Sequence, residues 1–281
     1  MTTHSYCLAG VMGWPVAHSR SPQLHNYWIQ QHGLQGAYVQ LPVAPGALAV
    51  ALPGLAALGF RGCNITIPHK VDALKLVHEV DANAKRMGAI NTIVVQPDGS
   101  LKGFNHDGFG YVQSLLDAKP GWRADAGPVT VLGAGGAARA VVLSLADQGA
   151  KEIRLLNRTF EKADALAQEF GGPVRALSWS DRHAALANVA LLVNTTSQGM
   201  HGCPPLDLSL DALPRHALVS DVIYVPLETP LLAAARIRGN PTVNGLGMLL
   251  NQARPAFQAW FGMMPTVTPE LRRAIEATLQ G

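Results

Sequence analysis

The run Gly133-Ala134-Gly135-Gly136-Ala137-Ala138 stands between an apolar segment, Val129–Leu132, and a helix-forming stretch, Ala137–Gln148. Glycines at this spacing are a weak sign alone, but a strand before them and a helix after them make a dinucleotide fingerprint. Gly133 allows the tight turn, Gly135 lets backbone approach a pyrophosphate, and Ala138 keeps the helix against the strand. The N–H groups at the helix start then face the phosphates. The next apolar segment ends in Leu156-Asn157-Arg158-Thr159. A carboxylate at that strand end would accept the free ribose 2′-hydroxyl of NAD and repel a phosphate. A guanidinium offers several donors to the 2′-phosphate, so Arg158 points to NADP, with Asn157 and Thr159 as neutral donors. The competing explanation is an exposed arginine that holds no ligand.

A second set of polar groups lies in the first hundred residues. Gly13-Trp14-Pro15-Val16-Ala17-His18-Ser19-Arg20-Ser21-Pro22 sets two hydroxyls two residues apart before a helix. Gly62–Ile65 runs into Thr66-Ile67-Pro68-His69-Lys70, and Leu101–Phe104 into Asn105-His106-Asp107-Gly108. A lysine and an aspartate thus emerge at two strand ends, the edge at which open α/β sheets hold ligands. Plain structural roles compete: Ser19 and Ser21 as helix caps, Asp107 as the N-cap of Gly108–Leu116, and Lys70 as a solvated helix residue. His18, His25 and His69 lie nearby, but no His, Cys or carboxylate group has metal-ligand spacing, so no metal is assigned.

Short apolar runs alternating with Ala/Leu-rich stretches must position these residues, which is the rhythm of an α/β protein. Strands are expected at Tyr6–Val11, Ala37–Leu41, Gly62–Ile65, Thr92–Val95 and Leu101–Phe104. A second series is expected at Val129–Leu132, Ile153–Leu156, Leu191–Val193 and Leu218–Val222, with helices such as Ala137–Gln148 and Glu161–Phe170 between them. The Pro/Gly-rich Lys119–Pro128 precedes the second series and reads as a junction. Met248–Phe261 and Pro269–Gln280 read as helices with no strand after them, packing back on the first domain. The expected architecture is therefore a two-domain α/β fold. Residues 1–106 and 245–281 form a substrate-binding and catalytic domain with a mostly parallel sheet, and residues 107–244 form a Rossmann-type NADP-binding domain.

The chain of 281 residues is 48% hydrophobic and 15% charged, enough to bury a large core. Its net charge of +3 is spread without a Lys/Arg block, which argues against a nucleic-acid partner. Cys7, Cys63 and Cys203 are far apart, with no disulfide or zinc pattern. The start Met1–Tyr6 has no basic-then-apolar leader, and no apolar run reaches the ~20 residues of a membrane span. The expectation is a cytoplasmic protein with a small-molecule substrate and no membrane or nucleic-acid partner, as a monomer or homodimer.

The chain resembles the shikimate dehydrogenases over nearly its whole length. The likeness is carried by His18-Ser19-Arg20-Ser21-Pro22 with His25-Asn26, Gly62–Lys70, Gly88-Ala89-Ile90-Asn91-Thr92, Gly133–Ala138 and Asn157-Arg158-Thr159. Later stretches are Asn194-Thr195-Thr196-Ser197-Gln198-Gly199-Met200, Asp221-Val222-Ile223-Tyr224 with Thr229-Pro230-Leu231, and Gly245-Leu246-Gly247-Met248-Leu249 with Gln252. The resemblance implies NADP-dependent, reversible reduction of 3-dehydroshikimate to shikimate, in the biosynthesis of chorismate and the aromatic amino acids. It implies Lys70 and Asp107 as the catalytic pair and Ser19, Ser21, Thr66, Asn91, Tyr224 and Gln252 as substrate ligands. Cofactor contacts would come from Gly133, Ala134, Gly135, Gly136, Ala137, Asn157, Arg158, Thr159, Thr195, Ser197, Val222, Gly245 and Met248. Asn194–Met200 either lines the nicotinamide side or forms a tight loop, and Met248 packs near the nicotinamide or in the core.

Such chemistry suits these residue types, because a polyhydroxylated ring acid needs hydroxyl donors for its carboxylate and amide or charged groups for its hydroxyls. Lys70 relays the alcohol proton or stabilises the alkoxide, while Asp107 orients it and the substrate hydroxyl. One departure stands out: the family usually carries Thr where this chain has His106. Phe109 and Asn251 also differ from the commonest residues around their motifs. Two alternatives follow, a paralogue acting on quinate or another shikimate-like ring acid, and a non-catalytic module that senses such a metabolite or NADP. The presence of both Lys70 and Asp107 speaks against the second.

Overall fold

A computed structural model describes residues 6–279 of the chain. The leader reading at Met1–Ser5 and the last residue of the expected terminal helix, Gln280, lie outside the described residues. The chain divides into two compact units, one formed by residues up to His106 with those from Gln252 onward, the other by Asp107–Asn251.

In the first unit, six strands form one sheet. They are β1 (Cys7–Gly13), β2 (Gly36–Pro42), β3 (Phe60–Ile65), β4 (Glu79–Val80), β5 (Thr92–Val95) and β6 (Leu101–Phe104), in the order β2-β1-β3-β5-β6-β4. β1 pairs parallel with both β2 and β3, and β4 with β6, whereas β5 runs antiparallel to β3 and β6. The reversal is local chemistry. Gln96–Ser100 closes a hairpin in which Gln96 N donates to Ser100 O at 2.8 Å and Asp98 Oδ1 accepts from Ser100 N at 2.9 Å. The parallel strands need crossovers instead, supplied by α1 (Ser21–Gln31) and α2 (Leu48–Ala57). Met12, Leu52, Leu55, Ile65, Ile90 and Ile93 fill the core between α2 and the sheet. The chain's end returns to this unit, where Trp260 Nε1 donates to Ile93 O at 3.0 Å and Trp28 Nε1 to Thr266 O at 3.1 Å.

The second unit begins with α4 (Asp107–Ala118), α3 (Ala82–Met87) lying upstream in the first. Its sheet is wholly parallel, in the order β12-β11-β10-β7-β8-β9. The strands are β7 (Val129–Leu132), β8 (Ile153–Leu156), β9 (Val174–Leu177), β10 (Leu191–Asn194), β11 (Leu218–Asp221) and β12 (Thr242–Val243). Every residue of β7, β10 and β11 is buried, because helices cover both faces of a parallel sheet. Those helices include α5 (Gly136–Asp147), α6 (Phe160–Phe170) and α7 (Pro230–Ile237). The helix α8 (Leu246–Phe261) then carries the chain across the boundary between Asn251 and Gln252, and α9 (Pro269–Ala277) follows.

Three strands escape the sequence reading. β4 and β12 have two residues each, too few for a period to show, and β9 is an edge strand with an exposed Arg175 in its short run. The helix expected from Met248 opens two residues earlier, at Leu246. Gly247 is therefore helical, and a Cβ there would stand 2.9 Å from Ser114 Cβ, so it serves close packing and not a stop.

Candidate active site

Within the first unit the candidate residues stand at the carboxyl ends of β1 and β3. Ser19 follows β1, its N–H donating to Val16 O at 3.0 Å and its Oγ accepting from Ser21 N at 3.3 Å. The N-cap of α1 is Arg20, with no side-chain cap bond, and Ser19 Oγ instead takes the N–H of Ser21, the first residue of the helix, so Ser19 has a structural part at the helix start while Ser21 caps nothing. Thr66 leaves β3, its N–H donating to Met12 O and its carbonyl accepting from His69 N, both at 2.9 Å. The buried ring of His69 fixes this turn through Nε2 and Val43 O, 2.7 Å apart. A carbonyl only accepts, so that nitrogen is protonated and His69 acts as a structural clamp. Lys70 comes next, half-buried, with its carbonyl accepting from Ile90 N at 2.8 Å.

Asn91 is 2% exposed and lies at the centre of a polar network. Its Oδ1 accepts from His106 N at 3.0 Å and from Thr92 Oγ1 at 2.8 Å, while its Nδ2 donates to Gln252 Oε1 at 3.3 Å. Asn64 Nδ2 donates to Asn91 O at 3.0 Å and to Thr92 Oγ1 at 3.1 Å. Asn64 Oδ1 in turn accepts from Tyr38 OH at 2.6 Å. Burial drives the Tyr38 phenol well above its ordinary range, so it remains a donor. Asn64, Thr92 and Tyr38 carry no role in the sequence reading, although buried polar side chains at Asn64 and Thr92 inside apolar strands were the available signal.

In the second unit the glycine turn is built from backbone. Gly133 has φ +107°, and a Cβ there would lie 2.5 Å from Thr195 Oγ1, so only glycine fits. Thr195 is engaged with the sheet, its N and Oγ1 both donating to Leu132 O at 2.8 and 2.7 Å. Ala138 is fully buried against the strand. By contrast Gly135 and Gly136 are exposed, and a Cβ on either meets nothing within 4 Å. Gly135 is the N-cap of α5, with no side-chain cap bond and no acidic residue in the first turn. The open helix start therefore presents its N–H groups and positive dipole end to an anion.

Arg158 is exposed beyond β8, where Asn157 Nδ2 donates to Thr159 O at 2.8 Å and shapes the turn. Ser197 is exposed and Thr159 opens α6 as its N-cap. Asn194, Asp221 and Thr229 tie the loops after β10 and β11. Asp221 accepts from Ile223 N at 3.1 Å, Thr229 Oγ1 at 2.8 Å and Asn194 Nδ2 at 3.1 and 3.2 Å. Burial raises the Asp221 carboxyl above its ordinary range, and these donors counter part of that rise. Half-buried Val222 and Tyr224 follow this knot, Gly245 N donates to Ile223 O at 2.9 Å, and Met248 packs against the unit's core. Asp107 is half-buried as the first residue of α4. Among the described residues no group of three or more His, Cys, Asp or Glu is placed to hold a metal, and no helix is long and apolar enough to cross a membrane.

Comparison with known proteins gives the family. Residues 11–93 match the model of the shikimate dehydrogenase substrate binding domain, and residues 119–201 that of shikimate / quinate 5-dehydrogenase. The shikimate dehydrogenase (NADP(+)) of Rhodospirillum rubrum is 53% identical over 279 residues, covering 98% of this chain and 99% of its own. The crystal structure of shikimate 5-dehydrogenase from Thermus thermophilus in complex with NADP(H) and shikimate is 35% identical, with a TM-score of 0.85 and 98% of each chain covered. Quinate dehydrogenase from Corynebacterium glutamicum in complex with NAD is 29% identical, with a TM-score of 0.90 over 97% of this chain and 99% of that one. A fold, two sets of strand-end residues and relatives matched along almost the entire chain converge: this protein belongs to the shikimate dehydrogenase family.

Proposed function

We propose that the protein catalyses the NADP-dependent interconversion of 3-dehydroshikimate and shikimate. The unit up to His106 with the residues from Gln252 onward serves as the substrate domain and Asp107–Asn251 as the NADP domain, in a cytoplasmic enzyme that works as a monomer or homodimer. The observation that carries this reading is the hydrogen bond between Asn91 and Gln252, 161 residues apart in sequence. It joins two carboxamides suited to ring hydroxyls in the same unit that carries Ser19, Ser21, Thr66 and Lys70.

The cofactor fits the residues present. Gly135 and Gly136 leave open the space that a pyrophosphate occupies, and the guanidinium of Arg158 suits a 2′-phosphate better than a free 2′-hydroxyl. Ala134, Ala137, Asn157, Thr159, Ser197, Val222 and Met248 complete the proposed lining, while Gly133, Thr195 and Gly245 shape it through the backbone. When bound, NADP(H) supplies the hydride exchange.

The chain's own groups do the rest. Ser19 and Ser21 donate to the substrate carboxylate, and Thr66, Asn91, Tyr224 and Gln252 hold the ring hydroxyls. Lys70 relays the proton of the reacting hydroxyl or stabilises the alkoxide, and Asp107 orients Lys70 and the substrate hydroxyl. His106, where the family usually carries threonine, favours quinate or a related ring acid as the second reading.

Nicotinamide absorbance, followed with shikimate or quinate against NADP+ or NAD+, tests the proposal. Shikimate with NADP+ should give the highest kcat/KM. A preference for quinate selects the second reading, equal use of NAD+ removes the role of Arg158, and no absorbance change in any combination leaves a metabolite-binding module.

A further inference from the structure

The placement of His106 goes beyond a bystander beside the catalytic aspartate. Its backbone N–H and its ring both reach the Asn91 carboxamide, the first directly at 3.0 Å and the second through Thr92, whose Oγ1 is 3.2 Å from His106 Nδ1. The imidazole also stacks on Phe104, with ring centroids 5.8 Å apart and planes 18° from parallel, so its orientation is set on two sides.

Proton bookkeeping around Thr92 Oγ1 is restrictive. A hydroxyl has one proton and two lone pairs. Asn64 Nδ2, 3.1 Å away, only donates, and that amide cannot be turned over because the same nitrogen donates to Asn91 O. Asn91 Oδ1, 2.8 Å away, only accepts, and its amide is fixed by the His106 backbone N–H. The Thr92 proton therefore goes to Asn91 Oδ1, which leaves the second lone pair of the hydroxyl facing His106 Nδ1. A protonated Nδ1 completes the set. An unprotonated one opposes two lone pairs, or draws the Thr92 proton to itself and takes a donor from Asn91.

We propose that His106 is a positioning residue for substrate recognition: carrying its proton on Nδ1, it donates to Thr92 and so directs the Thr92 hydroxyl onto Asn91 Oδ1. Two donors then fix the oxygen side of the carboxamide, and its N–H2 side is held toward Gln252. A shorter side chain at position 106, such as threonine, has no ring with which to span to Thr92. The inference rests on the proposed function, because Asn91 and Gln252 are substrate ligands only on that reading.

His106→Phe keeps the ring stack and removes the donor, whereas His106→Asn replaces Nδ1–H with an amide N–H at a similar position. Steady-state kinetics should show KM for shikimate raised about tenfold in His106→Phe, with kcat within about threefold and KM for NADP+ unchanged, as loss of a ground-state contact requires. His106→Asn should recover most of the loss. Nitrogen-15 NMR of the folded wild type should show His106 protonated on Nδ1 at neutral pH. Unchanged KM in His106→Phe, no recovery in His106→Asn, or an unprotonated Nδ1 each overturns the proposal. A wild-type chain inert toward shikimate but active on another ring acid overturns the shikimate reading alone, and the same variants are then read on that acid. A chain inert toward every ring acid overturns both.

Discussion

The two units build their sites from different materials. In the second, the glycine turn offers backbone N–H groups at a helix start, and the nearest side chains, Thr195 and Ala138, face inward to hold strand and helix together. In the first, the proposed site draws on side chains from β3, the start of β5 and the residue before it, the segment after β6 and α8, locked to one another through Asn64, Asn91, Thr92, His106 and Gln252. A phosphate is recognised by any correctly placed row of N–H groups, so backbone suffices. Ring hydroxyls of fixed stereochemistry need donors and acceptors in a particular order, which only side chains provide.

The sharpest way to break this comparison is to remove one side chain from the first unit. Lys70→Ala should lower kcat by ~100-fold or more, with a smaller change in KM and no change in NADP affinity. The checks are steady-state kinetics and cofactor titration by fluorescence. Near-normal kcat would take Lys70 out of the chemistry and reduce the first unit to a binding surface.

Acid should also separate the two units. His25 is fully buried among Tyr38, Trp28, Phe257 and Trp260, stacked on Tyr38 at 4.1 Å, and neither ring nitrogen has a hydrogen-bond partner among the described residues. Burial pushes its imidazole down to about 3 from 6.5, so the folded unit holds it neutral while the unfolded chain charges it. Between those values the unfolded state binds the extra proton. Its contribution is complete above about pH 6.5 and falls away as pH drops toward 3, by roughly 3–5 kcal/mol in all. Asp221, whose carboxyl is raised by burial, has the opposite sign: it favours the folded second unit in acid and loses that preference as pH rises through its folded value. Hydrogen exchange on stepping from pH 7 to pH 4.5 should therefore loosen the first unit's amides before the second's. His25→Leu should flatten the acid limb, and an unchanged limb would remove His25 as its cause.

The same contrast governs how much could be read from residues alone. The glycine turn was legible because a backbone site needs its glycines at fixed intervals between a strand and a helix, all within one short stretch. The long strands were legible for a similar reason, as runs such as Val129–Leu132 are buried throughout. The polar network was not, since Tyr38, Asn64 and Thr92 acquire their roles from partners on other strands. His25 shows the converse case: one of the residues that carry the family likeness, it turns into an aromatic cage and away from hydrogen-bonding partners among the described residues. The position of Arg158, two residues beyond the end of β8 and exposed, could be anticipated because the strand and the turn after it are local features, whereas its proposed part in cofactor choice rests on the charge of its side chain.

Arg158 also gives the next effect in size. Arg158→Ala should weaken NADP by ~1.5–3 kcal/mol, the range for hydrogen bonds to a charged group, and leave NAD nearly untouched. Calorimetric titration with both cofactors checks this. Equal losses would mean that the guanidinium acts on the turn and not on the 2′-phosphate.

Finer still is the distinction between two glycines of one turn. Gly133 is required by the fold, because its φ of +107° and the nearby Thr195 hydroxyl exclude a Cβ, so Gly133→Ala should cost on the order of 1–3 kcal/mol of stability. Gly135 has φ −92° and ψ −168°, which any residue adopts, and its notional Cβ meets nothing within 4 Å. In Gly135→Ala the fold should lose less than ~1 kcal/mol, the cost of a poorer N-cap, while NADP binds at least ~10-fold more weakly because the methyl intrudes where the pyrophosphate approaches. Melting temperatures and cofactor titrations of both variants separate the two roles. If Gly135→Ala bound NADP normally, the space above α5 would not be the phosphate site, and a backbone-built cofactor site in the second unit would have to be abandoned even with the fold intact.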